Sequence, residues 1–196
     1  MLASSNPGKE KDYKKLFSEF PIQLIPQGAL QIPEVEETGL TFVENAILKA
    51  RNACLISGLP SIGDDGGLVV DALFGAPGLY SARYAGKNAN MEENIHKLLL
   101  ALKEVPAKDR TARLCLILVY LRHHHDPDPI ICEGTWELTV METRKGTQGF
   151  GYLPILYVPT HQCGAAELSL EARNKINHRS QAFHKLIDHF KKEGII

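Results

Sequence analysis

Carboxylates and lysines gather in one stretch of this chain, from Glu36-Glu37-Thr38-Gly39 through Thr41 and Glu44-Asn45 to Lys49, with Asp64-Asp65-Gly66-Gly67 beyond it. Carboxylate oxygens suit Mg²⁺, which is held by one or two carboxylates plus substrate phosphates, and a nearby ammonium balances the remaining phosphate charge. A second set lies at the N-terminus, where Ser4-Ser5-Asn6-Pro7-Gly8-Lys9 forms a turn feeding a helix. Backbone N–H groups at such a helix start favour an anion, and Lys9 falls in the first turn. The spacing does not match Gly-x-x-x-x-Gly-Lys-Ser/Thr, which excludes a P-loop. Together these parts suit hydrolysis of a nucleotide polyphosphate.

Further along, Gly146-Thr147-Gln148-Gly149-Phe150-Gly151-Tyr152-Leu153-Pro154 offers two aromatic rings among glycines. They either present a face on which a purine stacks, worth about 1–3 kcal/mol per base, or turn into the core of a glycine-rich hairpin. His178 and Arg179 open the last helix behind Asn177 as its cap. Cations prefer the other end of a helix, so an oxygen-rich or anionic ligand would account for them.

The elements that must position these residues follow from periodicity. Thr41 and Glu44 form a capping box, and Gly58-Leu59-Pro60 supplies a glycine stop and a proline, so a helix is expected from 42 to 57. Phe42, Ala46, Ala50 and Ala53 make its apolar stripe, while Asn45, Lys49 and Asn52 lie on another face. A short strand from Pro60 to Gly63 is expected to deliver Asp64-Asp65 at its end, with Gly66-Gly67 turning the chain before a strand at 68–73. A first helix ending near Phe20, a helix from Met91 to Glu104, strands at 113–121 and 130–140, and a C-terminal helix burying Ala182, Phe183, Leu186, Ile187 and Phe190 complete the pattern. The alternation means α/β, without fixing the order of strands. His123-His124-His125-Asp126-Pro127 reads as an exposed turn rather than a metal tract.

Composition narrows the class. The 196 residues suffice for one domain, and 44% hydrophobic with 23% charged residues is a soluble globular composition. A formal charge of −1 gives no counterion-release drive toward nucleic acid. Cys54, Cys115, Cys132 and Cys163 contain no Cys-x-x-Cys pair, so they are expected to be reduced and structural. The longest apolar run, Leu114 to Leu121, is too short to span a membrane, and a cytoplasmic protein is expected.

Taken in order, these motifs resemble one family, the Ham1-like inosine triphosphate pyrophosphatases. The likeness rests on Ser4 to Lys9, on Glu36 to Ala50, on Asp64 to Leu68, on Gly75 to Tyr84, on Gly149 to Tyr152 and on His178-Arg179, and it covers essentially the whole chain. It implies a long twisted mixed β-sheet with flanking helices forming two lobes around a nucleotide cleft, within a single domain from 1 to 196, usually as a homodimer. It implies hydrolysis of the bond between the α- and β-phosphates of inosine, deoxyinosine or xanthosine triphosphate. By position, Glu37 and Asp65 resemble the Mg²⁺ ligands, and Asp65 also the proton acceptor for the attacking water. Lys9 and Lys49, with the backbone of Ser4, Ser5, Asn6, Pro7 and Gly8, would hold the triphosphate. Phe150 would stack on the base within Gly151, Tyr152 and Leu153, while His178 and Arg179 would contact its oxygens, with Gly66 and Arg173 also in the substrate set.

Three positions depart from the family pattern. Leu153 stands where aspartate is usual beside the base, Arg173 where lysine is usual, and Gly66 where serine usually follows the second aspartate. A clipped first strand points to a start upstream. The departures leave two other functions open: a nucleotide-binding protein with impaired turnover or altered base choice, and a house-cleaning pyrophosphatase for other modified nucleotides.

Overall fold

The computed structural model describes residues 1–196. Six strands form one sheet in sequence order: β1 (Leu2–Ala3), β2 (Ser61–Val70), β3 (Thr111–Leu121), β4 (Ile130–Val140), β5 (Leu156–Val158) and β6 (Cys163–Gly164). The sheet is mixed, since β1 runs parallel to β2 with Leu2 opposite Ile62, whereas β4–β5 and β5–β6 are antiparallel. Five helices flank it: α1 (Pro7–Phe17), α2 (Phe42–Ser57), α3 (Met91–Ala101), α4 (Leu170–Asn174) and α5 (His178–Lys192). None is long and apolar enough to cross a membrane.

The chain divides into two compact units. The first comprises 1–65, 116–133 and 181–196. Its larger apolar cluster joins Leu2, Tyr13, Phe17 and Ile62 to Phe183, Leu186 and Phe190, with the Phe17 and Phe183 rings edge to face at 4.9 Å. Its smaller cluster sets Ala46, Ala50 and Cys54 of α2 against Val119 and Leu121 of β3. Small residues matter where the same helix meets β2. A Cβ on Gly63 would fall 2.2 Å from the Ala46 carbonyl and 2.7 Å from the Ala50 nitrogen, so only glycine lets α2 lie backbone to backbone on β2.

The second unit comprises 66–115 and 134–180. Leu68, Val70, Ile95, Leu98, Trp136, Leu138, Leu156 and Val158 form its core, and Tyr152 and Leu153 belong to the same cluster.

Several elements end where the sequence places them. α2 runs from 42 to 57, with Thr41 accepting from the Glu44 amide and Gly58 in the left-handed region at φ 68°. β4 spans 130–140 as expected, Trp136 is a buried anchor, and the His123–His125 stretch lies in a turn between β3 and β4. One expectation fails. Asp64 to Gly67 do not close one strand and turn into another, because β2 continues unbroken from Ser61 to Val70. Gly67 serves a close approach instead: a Cβ there would sit 2.4 Å from the Gly78 carbonyl and 2.5 Å from Ser81 Oγ. α1 and α3 also stop earlier than their apolar periodicity suggests, at Phe17 and Ala101.

Candidate active site

A strand alternates its side chains between faces, so consecutive aspartates in β2 must point apart. Asp64 therefore shares its face with Ile62 and meets α1. Lys9 Nζ donates to Asp64 Oδ1 at 2.8 Å, and Tyr13 Oη donates to Oδ2 at 3.2 Å. Both partners lie on α1, Lys9 in its first turn and Tyr13 one turn later. Asp64 is 1% exposed, which makes this a buried carboxylate with a partly exposed cation.

Asp65 shares its face with Gly63 and meets α2. Lys49 Nζ donates to Asp65 Oδ1 at 2.8 Å and lies 2.6 Å from Glu37 Oε1, so one ammonium joins both carboxylates. It also donates to the Asp64 carbonyl at 3.2 Å. Asn45, one turn before Lys49, is buried and donates from Nδ2 toward Asp65 Oδ2 at 3.4 Å. Its Oδ1 accepts from the Gly39 amide at 2.8 Å, tying the Glu37–Gly39 segment to the same helix.

Electrostatics differ across the pair. Burial works against the Lys49 charge, but Asp65 and Glu37 outweigh it and hold the ammonium above its ordinary pKa. At Asp65 burial dominates and pushes the carboxyl above its ordinary value, with Lys49 pulling the other way and Glu37 adding to the rise. Burial disfavours both charged forms; at Lys49 the two carboxylates overcome it, whereas at Asp65 burial together with the like charge of Glu37 prevails over Lys49 and Lys9.

The N-terminal loop is organised differently from the expectation. Asn6 caps α1, and its Oδ1 accepts from the Gly8 and Lys9 amides at 2.9 and 3.2 Å. The Asn6 amide in turn donates to Ser4 Oγ at 3.2 Å, and Gln27 Nε2 donates to Ser5 Oγ at 2.7 Å. The Asn6, Gly8 and Lys9 amides are thus engaged within the loop, the last two because an Asn cap supplies the oxygen itself. Pro7 has no amide to offer.

Residues of the second unit form another group. Gly149 and Gly151 both have positive φ, at 91° and 69°, and they bracket an exposed Phe150. The Arg179 guanidinium carbon stands 5.9 Å from the Phe150 ring centroid, within cation–π range. Tyr152 turns inward and donates from its hydroxyl to the Ser81 carbonyl at 2.8 Å. Of the two aromatic rings, then, Phe150 alone presents a face for stacking. Leu153 is buried, and a Cβ on Gly149 would meet both Leu153 Cδ1 at 2.5 Å and Arg173 Nη1 at 2.8 Å. Leu153 and the buried Arg173 thus crowd the same point. Asn177 caps α5 by accepting from the Ser180 amide at 2.8 Å, which sets His178 and Arg179 in the first turn.

The structure therefore brings together Glu37, Lys49 and Asp65, and separately Lys9 with Asp64, and Phe150 with Arg179. Sequence reasoning missed Tyr13 and underrated Asp64 and Asn45. The signal for Asn45 was present, since it precedes Lys49 by one helical turn. Tyr13 gave none beyond its place on an amphipathic helix.

Comparison with known proteins places the chain in a family. The model of the Ham1 family matches residues 1–189. A protein of Pectobacterium atrosepticum called dITP/XTP pyrophosphatase is 50% identical over 188 residues, covering 96% of this chain and 95% of that protein. A solved HAM1 protein from Coxiella burnetii superposes with a TM-score of 0.92 at 45% identity, covering 97% of each chain. The Staphylococcus aureus Ham1 protein follows at 0.87 and 38%, covering 98% of this chain and 97% of that one. The chain belongs to the Ham1 family.

Proposed function

We propose that this protein is a Mg²⁺-dependent pyrophosphohydrolase that converts inosine, deoxyinosine and xanthosine triphosphates to the monophosphate and pyrophosphate. The observation that carries it is the joining of Glu37, Lys49 and Asp65 at the meeting of α2 and β2, in a chain half identical to a dITP/XTP pyrophosphatase. The residues fit Mg²⁺: two carboxylates converge, no third His, Cys, Asp or Glu joins them, and this ion completes its shell with phosphate oxygens and water. When held by Glu37 and Asp65, Mg²⁺ would neutralise charge on the phosphates.

The chain's own groups do the rest. Asp65 accepts the proton of the attacking water as its oxygen forms a bond to the α-phosphorus. The bond to the bridging oxygen of the β-phosphate breaks, and pyrophosphate leaves. Lys9 and Lys49 donate to the phosphate oxygens, with Asp64 and Tyr13 fixing Lys9 in place. Little covalent help is needed, since phosphoryl transfer depends on positioning and charge stabilisation. Ser4, Ser5, Asn6 and Gly8 shape the loop beside Lys9, and Gly66 supplies backbone next to Asp65. Phe150 stacks on the base beside Gly151, while His178 and Arg179 donate to its 6-oxo group, which adenine lacks. Tyr152, Leu153 and Arg173 support that loop from within.

The protein works in the cytoplasm as a homodimer in this reading. Phe74 and Tyr80, both exposed on the segment after β2, offer apolar surface for a second copy.

Product identification tests the reaction. Inosine or xanthosine triphosphate with Mg²⁺ should yield monophosphate and pyrophosphate, whereas diphosphate and orthophosphate would place attack at the γ-phosphate and overturn the assignment. A chain that binds these nucleotides and makes no product would be a binding protein instead.

A further inference from the structure

An ammonium has three N–H donors and no acceptor. All three donors of Lys49 are used by the protein: Glu37 Oε1 at 2.6 Å, Asp65 Oδ1 at 2.8 Å and the Asp64 carbonyl at 3.2 Å. Three oxygens, two of them anionic, thus converge on one cation in a largely buried place. Hard oxygens of this kind are what a divalent cation binds. The same geometry leaves Lys49 nothing with which to hold a phosphate until it gives up one of these partners.

We infer that Lys49 is a placeholder. Its ammonium occupies the oxygen cage formed by Glu37, Asp65 and the Asp64 carbonyl, and keeps free divalent ions out. When a polyphosphate arrives, Lys49 swings to its oxygens and opens the cage, so that cation and nucleotide are taken up together. The helix need not move for this. Gly63 locks α2 to β2 at Ala46 and Ala50, and the four-carbon stem of lysine supplies the travel. Two cations cannot share the cage cheaply, because like charges a few ångströms apart in a partly buried site repel strongly. A simple structural ion pair would use the same contacts but would not compete with a metal.

The inference rests on Glu37 and Asp65 being the metal-holding residues, and the two ideas fail differently. The experiment titrates Mn²⁺ into the nucleotide-free full-length protein and counts bound ion by the loss of its free paramagnetic resonance signal. Wild type should bind weakly. Lys49→Met should bind at least tenfold tighter, Lys49→Arg should stay as weak as wild type because the charge remains, and adding Glu37→Gln to Lys49→Met should abolish the gain. Mg²⁺ alone should likewise raise the melting temperature of Lys49→Met and leave that of wild type unchanged. If Lys49→Met needs the ion in order to fold, that dependence supports the placeholder, and failure of Mn²⁺ to restore its circular dichroism counts against it. Equal Mn²⁺ affinity in Lys49→Met and wild type overturns the inference while leaving the metal reading intact. Wild-type hydrolysis that persists without any divalent ion overturns the metal reading itself.

Discussion

Asp64 and Asp65 are neighbours in the chain but belong to different helices: Asp64 is held by Lys9 of α1 at 2.8 Å, and Asp65 by Lys49 of α2 at the same distance. Strand alternation thus splits one Asp-Asp dipeptide into two ion pairs. The first holds one lysine on one carboxylate, while in the second one lysine joins two carboxylates, Glu37 and Asp65.

Substitution at the two aspartates should therefore separate. Asp65→Asn removes the proposed proton acceptor and should lower kcat by about 10²–10⁴-fold, roughly 3–5 kcal/mol of barrier, with the fold intact. Asp64→Asn frees Lys9 and weakens the Tyr13 bond, so it should raise KM more than it lowers kcat and should also lower the melting temperature. Steady-state kinetics beside circular dichroism reads both. Equal, mild losses in kcat from the two variants would put the chemistry elsewhere.

Gly63 sets the distance between α2 and β2, and with it the Lys49–Asp65 contact. Gly63→Ala drives a methyl into the Ala46 carbonyl, and overpacking of this kind costs about 1–3 kcal/mol or more. Thermal melting should show that loss, and activity should fall along with stability because the helix carries Lys49 and Asn45. An unchanged melting temperature would mean that the two elements separate easily.

Leu153 and Arg173 both reach the space beside Gly149, so an aspartate at 153 would bring oxygens near the Arg173 guanidinium and the Phe150 loop. The native chain should still reject ATP but separate inosine, xanthosine and guanosine triphosphates only weakly. Leu153→Asp should sharpen the choice by roughly ten- to a hundredfold in kcat/KM ratios, the worth of one polar contact with its partner unpaired. Unchanged ratios would show that position 153 does not read the base.

Cysteine chemistry follows from burial. Cys54, Cys115 and Cys132 are buried, Cys163 is partly exposed, and burial raises the Cys132 thiol to about 11. Since the thiolate is the reactive form, Cys132 is almost wholly unreactive at pH 8. A thiol-specific disulfide reagent should find one fast group, lost in Cys163→Ser, with the other three appearing only on denaturation. Rapid reaction of Cys132 would contradict its burial.

The sequence by itself determined the local pieces. Thr41, Glu44 and Gly58 bounded α2 because caps are short-range chemistry, and alternation marked β4. Asn177 placed His178 and Arg179 at a helix start for the same reason. The carboxylates and lysines of the site were legible as residue types, and their order carried the family likeness. Only the tertiary structure decided which lysine answers which aspartate. That depends on β2 running straight through Asp64–Gly67, where paired glycines suggested a turn, because glycine serves tight turns and close packing alike and the sequence does not say which. It also decided that Asn6 engages the Gly8 and Lys9 amides, that Tyr152 turns inward while Phe150 stays out, and that Lys49 spends every donor on protein oxygens. Each of these is a choice among partners far apart in the chain or among equally plausible side-chain directions, and such choices are settled by packing rather than by local propensity.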